Sequence, residues 1–277
     1  MKQFFLALLL FFGAGFAVAR FTPFFKDKCE NCPKNTIDLG FRPAPFTLDN
    51  QPFVIVIIGR NNGANVEPTL RSVFAQSYDN FRIIYIDDAS TDGTFDFVRD
   101  LVYDSNHMGR VTLVKNEERL GKVTNLYRAI QTCADEEIVV LLGGEDRLSH
   151  EWVLQRLNQY YADPDLWLTY GQYREYPSLA LGKSGPFLTE TGFRMNPFPA
   201  SHLQTFYAAL FRKIRSTDLF RAPDSDLAYM VPMLEMGAEH FQFIPDILYL
   251  VSKIPLPTVE ETTPFPEQTT YEPLAKL

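Results

Sequence analysis

The sequence predicts an α/β protein, a single domain built on a mostly parallel sheet flanked by helices, and three observations lead there. Short apolar runs recur at Phe53 to Ile58, Phe81 to Ile86, Val111 to Val114, Ile138 to Leu142 and Trp167 to Tyr170, each bounded by polar residues or glycine. That is the length and flanking of buried strands. The intervals are long enough for a crossover helix, which parallel neighbours need. Two intervals also carry helical spacing, with Val66, Leu70, Val73 and Phe74 on one face and Val123, Leu126 and Ile130 on another. Repeated strand, helix, strand units of this kind close into one sheet. At 277 residues, 46% hydrophobic and 22% charged, the chain has the apolar material for one large core.

The chain opens with Lys2 and an uncharged, mainly apolar run from Phe4 to Ala19 that closes on Ala17-Val18-Ala19 before Arg20. This is the layout of a secretory signal peptide. Retained, residues 1–19 would act as a signal anchor, with Phe21, Phe24 and Phe25 extending the contact with lipid. The expectation is export, outside the cell or into a secretory lumen, or association with a membrane through that segment. Residues 20–52 are rich in Pro, Lys, Asn and Asp without sustained periodicity and read as a linker or a strap. Within them Cys29 and Cys32 could oxidise into a small disulfide loop in an exported chain. A zinc ribbon would need a second ligand pair, and the third cysteine, Cys133, lies on a predicted helix as a buried thiol. The domain itself spans 53–251. Residues 252–277, a mixture of Pro, Thr and Glu, can bury little and are expected to form a flexible tail.

The formal net charge of -8 argues against a nucleic-acid partner, whose phosphates select basic surfaces. It leaves room for a nucleotide, because a few local cations or one metal ion can neutralise a diphosphate. In open α/β sheets ligands bind beyond the carboxyl ends of the strands. Here those ends lead into Gly59 to Gly63, Asp87 to Gly93, Asn116 to Asn125 and Gly143 to Arg147, all of them polar. The second stretch, Asp87-Asp88-Ala89-Ser90-Thr91-Asp92-Gly93-Thr94, has two readings. It can be a capping segment whose oxygens satisfy the free N–H groups of a helix. It can also recognise base and ribose, since a carboxylate at a strand end accepts hydrogen bonds from a uracil N–H or from sugar hydroxyls.

Taken together, Val54 to Ile58 with Asn61-Asn62, Leu70 to Tyr78, Ile86 to Thr94, Leu120-Gly121-Lys122 with Asn125, and Leu141 to Leu148 resemble the family 2 glycosyltransferases. The likeness is strongest over 53–150 and extends more weakly to about residue 251. It implies a GT-A-like, Rossmann-type fold and inverting transfer of a sugar from a nucleotide-sugar donor, UDP-linked by preference, to a hydroxyl of a glycan, lipid or protein. It places Arg60, Asn62, Asp87, Asp88, Lys122 and Asn125 on the nucleotide, with Arg71 a further cation for phosphate or base. It places a divalent cation, Mn or Mg, at an acidic motif on the fourth strand, where hard carboxylate oxygens suit such ions. The aligned residues are Gly143, Gly144, Glu145 and Asp146, so the motif's first acid is missing and Glu145 and Asp146 remain as ligands. The helix beginning near Asp224 resembles the acceptor-side helix, whose leading carboxylate is the general base; Asp226 takes that role and Glu235 is its substitute.

Other residues carry less. His202 and His240 flank that helix and read as structural, while Trp167, Tyr170, Tyr173 and Tyr176 could stack on a sugar but at such density suit a core. Two other functions fit parts of the sequence. A binding-only relative with impaired catalysis is favoured by Gly143. A nucleotidyltransferase would want a richer phosphate loop than Gly59-Arg60-Asn61-Asn62-Gly63 supplies.

Overall fold

A computed structural model describes residues 50–187, 193, 199–220 and 225–254. The apolar segment at 1–19, Cys29, Cys32, nearly all of the linker and the tail beyond residue 254 lie outside the described residues.

The expected strands and crossover helices form in order: β1 (Phe53–Gly59), α1 (Gly63–Phe74), β2 (Phe81–Asp87), α2 (Thr94–Asp104), β3 (Val111–Lys115), α3 (Lys122–Ile130) and β4 (Ile138–Gly143). Then come β5 (Arg147–Leu148), α4 (Val153–Tyr160), β6 (Leu168–Tyr176), β7 (Thr205–Tyr207), α5 (Ala208–Arg212), α6 (Ser216–Leu219), α7 (Leu227–Gly237) and β8 (Phe241–Ser252). They make one 8-stranded sheet in the order β3-β2-β1-β4-β7-β6-β8-β5.

Strands β3, β2, β1 and β4 are parallel neighbours, and both faces of their sheet are covered. Alternation along the strands explains why a continuous apolar run is needed. Val54, Val56, Ile84, Ile86, Val139 and Leu141 face the layer holding Val123, Leu126 and Ile130 of α3. Phe53, Ile55, Ile57, Ile83, Tyr85, Val140 and Leu142 face Val66, Leu70 and Val73 of α1 and Val98 of α2. Each such side chain contributes about 1.5–3 kcal/mol on burial, so one polar residue in either set would be costly. Cys133 is a buried thiol as expected, but it sits in the turn beyond α3 and not on the helix; its Sγ lies 3.5 Å from the carbonyl of Ala129.

Register brings the carboxyl ends together. Gly59 pairs with Asp87, Asp87 with Lys115 and Ile58 with Gly143, so the four loops leave the sheet at one level.

The second half is less regular. β7 runs antiparallel between β4 and β6, β8 is parallel to β6, and the two-residue β5 is antiparallel to β8. Between β6 and β8 the pairing jumps from Gly171–Ile244 to Gln172–Ile247, leaving Pro245 and Asp246 as a bulge. Proline has no N–H to give a ladder, so this is where the pairing yields. Among the described residues no helix is long and apolar enough to cross a membrane.

Candidate active site

Two loops meet beyond β1 and β2 and hold each other. The N–H of Asn61 donates to Ser90 Oγ at 2.9 Å, and the N–H of Thr91 donates to Asn61 Oδ1 at 2.8 Å. Asn61 and Ala89 both take left-handed backbone, at φ 51 and 60°. That conformation costs a residue with a Cβ on the order of 1 kcal/mol and is tolerated here beside a cavity. The cavity, about 540 Å³, is lined by Arg60, the turn Ala89 to Thr91 and the loop Lys115 to Arg119.

The acids after β2 divide their work. Asp92 caps two helices, accepting from the N–H of Thr94 at 3.0 Å and of Gly63 at 3.4 Å, so for this residue the capping reading holds. Asp87 is fully buried; its Oδ1 accepts from the N–H of Ser90 at 2.8 Å, and its Oδ2 has no hydrogen-bond partner among the described residues. Asp88 turns toward the loop before α3. It accepts from Asn116 Nδ2 at 2.9 Å and from the N–H groups of Leu120 at 2.8 Å and Gly121 at 3.0 Å. Burial pushes its carboxyl up, but these bonds, led by that from Leu120, outweigh it and hold Asp88 below the ordinary range. Asn125, also buried, accepts from Asn116 Nδ2 at 2.7 Å. Asp87, Asp88 and Asn125 therefore stand behind the cavity wall.

Asp88 thereby fixes Gly121 and the start of α3, which presents Lys122. The Lys122 ammonium meets Asp226 Oδ1 at 2.5 Å, a bond between residues 104 apart that joins the parallel half of the sheet to the residue capping α7. Gln204 donates to Asp226 Oδ2 at 3.1 Å and accepts from the hydroxyl of Tyr229 at 2.8 Å. Burial raises the Asp226 carboxyl, yet Lys122 outweighs that and keeps it below its usual range, ionised at neutral pH. His202 stacks on Tyr249 with ring centroids 4.6 Å apart. Burial holds its imidazole below the ordinary value; Lys122 pushes the same way, while Asp226 and Asp146 oppose.

The end of β4 explains its two glycines. An ideal Cβ on Gly144 would fall 2.3 Å from Nδ2 of Asn62, a fully buried side chain with neither polar atom paired among the described residues. A Cβ on Gly143 would fall 2.5 Å from Asp146 Oδ2. Asp146 is anchored there: Oδ2 accepts from the Tyr249 hydroxyl at 2.6 Å and Oδ1 from the N–H of Ser252 at 2.7 Å, while the N–H of Gly143 donates to the same hydroxyl at 3.0 Å. Glu145 is half-buried, and burial together with the neighbouring Asp146 raises its carboxyl above the usual range.

Lys122 is thus the centre of a cluster: it bonds Asp226, its charge lowers both the Glu145 carboxyl and the His202 imidazole, and Asp88 fixes the turn before it through Gly121. Glu235 is not part of it. It is exposed near the far end of α7, nine residues and so roughly 13 Å along the axis from Asp226. Arg71 is exposed and pairs with Glu67 at 2.6 Å. Tyr170 is core, and His240 stacks on Trp167 at 3.9 Å. Gln204 and Tyr249 escaped the sequence reading; a tyrosine inside the apolar run Ile247 to Val251 was the available signal, whereas nothing local marks Gln204.

A sequence profile of the family described as "Glycosyl transferase family 2" matches residues 54–217. An uncharacterized protein of Mycobacterium tuberculosis (strain CDC 1551 / Oshkosh), MT1568, is 29% identical over 125 residues, 45% of this chain and 37% of that one. Among solved structures, S. aureus TarS 1-349 in complex with UDP-GlcNAc aligns with TM-score 0.55 and 15% identity over 73% of this chain and 58% of that chain. Mannosyltransferase PcManGT from Pyrobaculum calidifontis in complex with GDP-Man and Mn2+ aligns with TM-score 0.54 and 18% identity over 79% and 59%. The chain spans less than two thirds of each of these relatives, and at such identity the solved structures speak to the fold, a GT-A-like one.

Proposed function

The chain belongs to glycosyl transferase family 2, and on that premise we propose that it moves a sugar from a nucleotide-sugar donor to an acceptor hydroxyl, with inversion. The observation that carries this reading is the 2.5 Å bond from Lys122 to Asp226, which sets an ionised carboxylate from the second half beside the strand ends of the first. The cavity lined by Arg60, Ala89 to Thr91 and Lys115 to Arg119 has the position and polarity for the nucleoside. We favour uridine, the nucleoside of the UDP-GlcNAc bound in the TarS structure whose fold this chain resembles. In the proposed reaction Asp226 takes the proton of the acceptor hydroxyl as that oxygen bonds to the anomeric carbon. The bond from that carbon to the phosphate oxygen breaks, and its electron pair leaves with the nucleoside diphosphate. The acceptor is a glycan, lipid or protein. We place the reaction in an exported or luminal compartment, or at a membrane anchored by residues 1–19; mass spectrometry of the mature N-terminus decides between these.

The residues present do not fit the expected Mn or Mg held jointly by Glu145 and Asp146. Both Asp146 oxygens already accept structural hydrogen bonds, from the Tyr249 hydroxyl and the Ser252 N–H, so a cation there would have to displace or share them. The same feature favours a second reading, a relative that binds the donor without turning it over. Incubating the full chain with UDP-glucose, UDP-GlcNAc and GDP-mannose and measuring released nucleotide tests the two: release abolished by Asp226→Asn supports transfer, whereas binding without release supports the second reading.

A further inference from the structure

We infer that the donor's diphosphate is neutralised by the ammonium of Lys122 and not by a divalent metal, an inference that rests on the donor reading above. Three independent observations support it. First, the rim where a metal motif would sit is closed: Asp146 is anchored by Tyr249 and Ser252, and its Oδ2 occupies the space a side chain at Gly143 would need. Second, a diphosphate arriving among Glu145, Asp146 and Asp226 needs a cation within a few ångströms. Lys122 is bonded to Asp226 across the sheet, and its side chain remains 36% exposed. Third, Lys122 is the first residue of the nine-residue α3, whose first turn carries no acid. A cation at a helix N-terminus opposes the helix dipole, and an anion bound there relieves that conflict. Gly121, at φ 81°, delivers the chain into this position. Lys122 then trades Asp226 for phosphate when the donor binds, leaving the carboxylate free to take the acceptor's proton.

Titration calorimetry of the full chain with UDP, GDP and uridine, in excess EDTA and in saturating Mn2+, tests this. UDP should bind with affinities within about twofold in the two conditions. Lys122→Gln should weaken UDP about tenfold or more while leaving uridine affinity unchanged, and Lys122→Arg should recover most of the loss. Tightening of UDP by Mn2+ of tenfold or more would overturn the inference and leave the donor reading standing. Equal weakening of uridine and UDP by Lys122→Gln would also overturn it, because the lysine would then only position the loop. If neither UDP nor GDP binds the unaltered chain, the donor reading falls and takes this inference with it.

Discussion

The four parallel strands of the first half and the mixed strands of the second contribute to the site in different ways. In the first half, β1, β2, β3 and β4 end at one level, and the loops beyond them are held by backbone N–H groups bonded to Ser90, Asp87, Asp88 and Asp92. In the second, the groups joined to Asp226 and Asp146 come from unrelated places: Gln204 just ahead of β7, Asp226 itself at the start of α7 and Tyr249 in β8. A regular frame suits a ligand with fixed shape, the nucleotide. Chemistry at the sugar needs side chains from several directions, which an irregular half can supply.

If that division is right, its halves separate on mutation. The largest effect is expected from Asp226→Asn, which should cut donor turnover by about 10²–10⁴-fold while calorimetric binding of UDP persists; equal loss of both would break the comparison. Next comes Asp88→Ala, which strips three donors of their acceptor and should cost about 3 kcal/mol in urea unfolding, together with nucleotide affinity. Gly143→Ala pushes against Asp146 and should cost about 2 kcal/mol. Combined with Tyr249→Phe, which already releases Asp146, its cost should shrink, a non-additivity that sharpens the link between β4 and β8.

Acid should act on both halves at once. Asp88 and Asp226 have folded-state values below the ordinary 3.8, so each contributes stability above that pH and loses it as pH falls through the folded value. Unfolding midpoints measured down from neutrality should therefore drop below about pH 4, and Asp88→Asn should flatten the slope. The smallest effect is expected for Arg71→Ala, within about 0.5 kcal/mol and without change in UDP affinity, because its ion pair is exposed.

How far the sequence could be read follows the same divide. Strands buried on both faces write themselves as unbroken apolar runs, so β1 to β4 were legible to within a residue, and the buried faces of α1 and α3 were legible from their spacing. β7 has three residues and β8 contains Pro245, so neither carries a period to detect. Among the site residues, motif order pointed to Lys122 and Asp226 but could not show that they touch. Nor could it show that Asp88 faces a loop, because the direction of a carboxylate depends on backbone N–H groups more than thirty residues away. Glu235 was the substitute only as another acid on the same helix; its place toward the opposite end is visible only once the start of α7 is fixed.

The packing of Asp146 into the space beside Gly143 has a consequence for anyone wishing to redesign this protein. Reinstating an acid at 143 is not an independent step, because the newcomer must first evict a neighbour that two other groups retain. A library randomising that position alone should return glycine, and stable variants with an acid at 143 should emerge only when positions 143, 146 and 249 are drawn together.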